Sequence, residues 1–163
     1  MNNQNMNNIT AATNESHEIA INITRKAFVG LARQGMLFHQ GILEGCDDAL
    51  AAALAGEKAR ICVALAPDAD KNYIHLAVAD WGCGMDLAAL TNALQLGSAP
   101  LTNSRLNEHG YGLNNALACL SGGTGDWCIY TRSQPGPYYK VSGPFDLKMT
   151  VTEENHLQLP EGL

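Results

Sequence analysis

The chain has 163 residues, 46% of them apolar, which suits one domain with a packed core and is short for two. A net charge of −6, with only ten Lys and Arg, argues against the clustered basic footprint that direct DNA or RNA binding requires. Five cysteines without a CxxC pair suit neither a zinc site nor a complete disulfide set. No basic start leads into an apolar core, and no apolar run reaches spanning length, so a cytoplasmic protein with no membrane contact is expected.

Residues 1–14, MNNQNMNNITAATN, are too poor in apolar side chains to order themselves and predict a flexible Asn-rich segment before a single domain over 15–163. From about Glu15 to Arg33, Ile19, Ile23, Ala27 and Leu31 recur every fourth position with Ser16 as a cap, which predicts an amphipathic helix packed on the next one. From about Met36 to Ala55, Leu43, Cys46, Leu50, Ala53 and Leu54 repeat at helical spacing, and Gly56 supplies a stop. RICVALA (60–66) and IHLAVAD (74–80) alternate, and the Pro, Asp and Asn between them predict an antiparallel hairpin that ends on Asp80.

In DWGCGM, Gly82 and Gly84 follow Asp80 at once, so the backbone can turn sharply beside a fixed carboxylate. Leu87 to Leu96 reads as a helix. Gly97 to His109 lacks periodicity and contains Pro100, which predicts a mobile, lid-like loop. In NEHGYGLNNAL, Gly110 and Gly112 lead into a helix over Tyr111 to Leu120, whose free N–H groups and positive dipole end suit a phosphate. SGGTG breaks that helix, and DWCIYTR, YYKVSG and LKMTVT read as three strands. The expected fold is α/β (α+β): a two-layer sandwich with helices on one face of a mixed β-sheet and a ligand between the layers.

On the second helix Glu44 and Asp48 lie four apart and share a face, with Asp47 beside them. Either this is a solvated acidic face, or a hard divalent cation offsets the repulsion and carries phosphate oxygens and water on its other positions. His39, His75 and His156 have no metal-ligand spacing. Cys83 with His109 as a base is a remote alternative chemistry, and Trp127, Tyr130, Tyr138 and Tyr139 read as strand packing.

The order acidic helix, DxGxG, loop, GxG, strands resembles the GHKL nucleotide-binding superfamily over roughly Met36 to Thr152. EGCDDALAAALAG is similar, without a gap, to the ExxDNAxDxALAG of gyrase-like members, and DWGCGMDLAALTNALQLGSAP resembles the DNGCGM region of Morc-type ATPases. The resemblance implies the Bergerat-type ATP-binding fold, with ATP and Mg²⁺ as ligands and two copies pairing on ATP. It makes Glu44 the general base for the attacking water and Asp48 the magnesium ligand, where the family carries Asn. Asp80 would accept from the adenine amino group, Gly82 would belong to the nucleotide-binding turn beside it, Gly84 would let the backbone approach the base, and Met85 would pack on its face. Gly110, Tyr111, Gly112 and Leu113 would hold phosphate, and Thr150 would assist Asp80.

Trp81 replaces the family's small polar residue after the Asp, Asn114 stands where Morc-like members have Lys, and the loop offers only Arg105 as a cation. The resemblance therefore implies ATP binding with slow hydrolysis, regulating or stimulated by a protein partner or a following segment. A serine protein kinase similar to the anti-sigma-factor kinases and a catalytically degenerate nucleotide-sensing module are the two alternatives; phosphate transfer to a partner would separate the first of these.

Overall fold

The computed structural model describes residues 25–68, 70, 72–97, 111–123 and 125–159. The predicted flexible segment 1–14, residues 15–24 of the first expected helix, Gly110 and nearly all of the 97–109 loop lie outside the described residues. Among the described residues, four helices and five strands follow in the order α1 (Arg25–Ala32), α2 (Phe38–Ala51), β1 (Ile61–Asp68), β2 (Tyr73–Asp80), α3 (Leu87–Leu94), α4 (Gly112–Leu120), β3 (Cys128–Thr131), β4 (Tyr138–Ser142) and β5 (Val151–Glu154). This is an α+β arrangement. No helix among the described residues is long and apolar enough to cross a membrane.

Helix α4 is the hub, because α1, α2 and α3 all pack against it. Its run of small residues permits this: Ala116 and Ala118 are buried, and Asn114 is fully enclosed. In its described part, the first helix packs on α4. Phe28 stacks on the buried Phe145 at 4.5 Å between ring centroids, the Cys119 thiol donates to the Leu31 carbonyl at 3.3 Å, and Gly123 leaves room for Ala32. Helix α2 is started by Gln40, whose side-chain oxygen accepts from the Leu37 amide at 2.8 Å. It ends at Ala51, short of Gly56, and the Ala52 carbonyl beyond it accepts from the Cys83 amide at 2.8 Å. Asp86 caps α3 by accepting from the Ala89 amide at 2.8 Å.

Strands β1 and β2 form the expected antiparallel hairpin, in register from Ile61 opposite Asp80 to Asp68 opposite Tyr73. Asn72 takes a left-handed backbone in its turn, a conformation Asn tolerates better than most residues. Strands β3, β4 and β5 form a second antiparallel sheet in that order. The ladders among the described residues are therefore two small antiparallel sheets, not one mixed sheet. Beyond Asp80 the chain turns away into α3, and the turn meets β3 through side-chain and backbone contacts instead of a ladder. The last strand begins at Val151, four residues later than LKMTVT suggested, because the preceding stretch leaves the ladder to bury Phe145 against Phe28 and Trp127. Val151 then sits opposite Val141, which is 1% exposed.

Candidate functional site

Helix α2 carries its acids inward and its leucines outward. Gly41 and Gly45 lie one turn apart on its packing side. A Cβ at Gly41 would press on the Leu120 side chain, and one at Gly45 would come within 3.3 Å of Val78. Leu43 and Leu50 on the outer side are 56% and 46% exposed, whereas Glu44, Asp47 and Asp48 are half-buried. A solvated acidic face would show the opposite arrangement.

Asp48 bears the consequence. Its Oδ2 is buried and has no hydrogen-bond partner, and its pKa is pushed up from 3.8 to about 6. Burial is the largest cause, followed by the charges of Glu44, Asp47 and Asp80. Asp80 thus acts on the same field as the α2 acids, although it stands 32 residues further along the chain.

The turn after Asp80 is secured at successive positions. The Gly82 amide donates to Asp80 Oδ1, the Cys83 amide to the Ala52 carbonyl and the Met85 amide to Thr131 Oγ1, each at 2.8 Å. Asp80 Oδ2 has no hydrogen-bond partner among the described residues, and the residue is exposed, so one oxygen stays available as an acceptor. A side chain at Gly82 would run into the Ala52 carbonyl. Gly84 has φ +62° and would drive one into the Arg132 carbonyl. The space left by the missing side chain at Gly84 is therefore filled by protein backbone. Trp81 is 55% exposed and holds the Arg60 guanidinium 5.2 Å from its ring centroid, which gives Arg60 a partner within the fold.

At the second glycine motif, a Cβ on Gly112 would clash with Glu44 Oε2, so this glycine admits the Glu44 carboxylate to the first turn of α4. Tyr111, the residue before the helix, makes no side-chain cap, and its phenol oxygen stands 2.7 Å from where a Gly97 side chain would begin. Leu113 is half-buried in the same turn. Asn114 Nδ2 donates to the Ala93 carbonyl at 3.0 Å, while its Oδ1 is buried without a partner. Asn114 thus clasps the end of α3 to α4.

Glu44, Asp48, Asp80 and Gly112 are brought together, with Gly82, Gly84 and Met85 forming the turn beside them. Thr150 is exposed and lines an open hollow of about 500 Å³ with Lys140, Ser142, Lys148 and Thr152. The threonine that touches the Asp80 turn is Thr131, 8% exposed, which sequence reasoning passed over. No sequence signal marks it, because a strand threonine bonded across 46 residues looks like any β-branched strand residue.

No three His, Cys, Asp or Glu among the described residues gather closely enough to cage a metal on their own. The unpartnered Asp48 Oδ2 and its acidic neighbours still suit a hard cation that takes its remaining ligands from phosphate and water. No protein-family model matches this chain, and no curated protein matches it either.

Proposed function

We propose that the chain is a Mg²⁺-dependent ATP-binding domain of the GHKL type that hydrolyses ATP slowly. The observation that carries the reading is the convergence of three separate sequence features. The α2 acids press on the same carboxyl as Asp80, and Glu44 reaches the first turn of α4 at Gly112. In this reading Asp80 Oδ2 accepts from the adenine amino group. An ionised carboxylate only accepts, so it disfavours guanine's carbonyl at the same ring position. The uncapped first turn of α4 faces phosphate with its N–H groups.

When bound, Mg²⁺ offsets the charge of Asp48 and of the phosphates. Glu44 orients the attacking water for in-line displacement. Turnover is slow because positive charge is scarce: Arg60 is engaged with Trp81, and Asn114 is a buried clasp. Pairing of two copies on ATP and regulation of a partner belong to the same proposal.

The test is Mg²⁺-dependent phosphate release by the purified chain and by Glu44→Gln. Release that disappears in the variant while nucleotide affinity persists supports the reading. Release unchanged by the substitution overturns the assigned role of Glu44.

A further inference from the structure

We propose that Thr131 is the positioning residue of the Asp80 turn and sets its preference for adenine; this rests on the nucleotide reading above. Three of the turn's amides have partners in three different places. The Gly82 amide is held by Asp80 itself, the Cys83 amide by the end of α2 and the Met85 amide by Thr131 at the end of β3. The first two bonds fix the turn to the hairpin and to α2. The third ties it to the second sheet, which shares no ladder with the hairpin.

Close packing gives this bond leverage. Gly84, one residue before Met85, already lies against the Arg132 carbonyl, so the turn meets two successive residues of the chain at the end of β3. Thr131 is 8% exposed, so water replaces a lost hydroxyl poorly, and the Met85 amide would be left without a partner. A turn loosened at Met85 is left with the Gly82 and Cys83 amides as its anchors, so the backbone beside Asp80 is held less firmly. The carboxylate that reads the base is affected, while the Glu44–Gly112 corner is held by α2 and α4 and is left in place. Thr131 therefore acts on base selectivity and not on phosphate binding.

The test compares the wild-type chain with Thr131→Val, which keeps the shape and removes the hydroxyl, and Thr131→Ser, which keeps the hydroxyl. Hydrogen exchange of the Met85 amide is read without ligand, and calorimetry is run with non-hydrolysable ATP and GTP analogues and with inorganic tripolyphosphate, all with Mg²⁺. Thr131→Val is expected to expose the Met85 amide and to weaken the ATP analogue about tenfold, the equivalent of one lost buried hydrogen bond. It narrows the preference over the GTP analogue and leaves tripolyphosphate unchanged, and Thr131→Ser restores both the protection and the preference.

Unchanged Met85 exchange in Thr131→Val overturns the inference at the level of geometry. Faster exchange with an unchanged ATP-to-GTP ratio overturns the positioning role while leaving the nucleotide reading intact. A wild-type chain that protects Met85 through Thr131 yet binds none of the three ligands overturns the nucleotide reading and the proposed role together.

Discussion

Asp48→Asn should make the protein more stable at neutral pH and flatten its acid response. In the folded chain this carboxyl keeps its proton to about pH 6, whereas an unperturbed aspartate releases it near 3.8. Between those values the folded state binds more protons than the unfolded state, so this group's contribution to stability falls as pH rises. Below 3.8 both states are protonated and nothing is lost; above 6 the full penalty of a buried charge beside Glu44, Asp47 and Asp80 applies. Converted at about 1.4 kcal/mol per tenfold, the gap amounts to about 3 kcal/mol at most. Asparagine keeps the shape, carries no charge and brings an N–H₂ donor for the acids around it. Urea unfolding of both proteins from pH 4 to pH 8 reads the effect of this carboxyl together with its coupling to Glu44, Asp47 and Asp80. The stability difference should be near zero at pH 4 and grow to its full value above pH 7, in favour of Asp48→Asn. A difference that does not change with pH, or a variant less stable than the parent at pH 8, would refute the account of Asp48 as an acid buried among acids.

Gly84→Ala should lower stability by more than about 3 kcal/mol in denaturant titration, because it adds left-handed backbone strain to a collision with the Arg132 carbonyl. Asn114→Lys should yield a poorly folded protein by circular dichroism and thermal melting, since position 114 is fully enclosed and cannot solvate a charge. Gly112→Ala should leave the helical signal intact and reduce Mg²⁺-dependent phosphate release, because the added methyl displaces the Glu44 carboxylate; full retention of that release would separate Glu44 from the corner. Phe145→Ala should cost about 3–5 kcal/mol by removing the ring that joins Phe28 and Trp127, measured by chemical unfolding.

Local pattern was the readable part of this fold. The alternation in 60–66 and 74–80 leads directly to the hairpin and to Asp80 at its end, and the spacing of Glu44 and Asp48 places them on one face of α2. Which way that face points was not readable, because Leu43 and Leu50 carry as strong a periodic signal as the glycines opposite them. Only packing of Gly41 on Leu120 and Gly45 on Val78 turns the acids inward. The glycines of DWGCGM were legible as a turn, yet the reason for Gly84 lies in the Arg132 carbonyl, 48 residues away. Pairing across such distances depends on how the second sheet meets the turn, which no local period encodes. The same holds for Thr131, and for the start of β5, which was shifted by the burial of Phe145.

Calorimetric titration of the chain with a non-hydrolysable ATP analogue, with and without Mg²⁺ and alongside Asp80→Asn, tests the central claim most directly. The account predicts binding that requires Mg²⁺ and is lost when Asp80 no longer presents two acceptor oxygens. An intact, folded protein that takes up no nucleotide under either condition would contradict it.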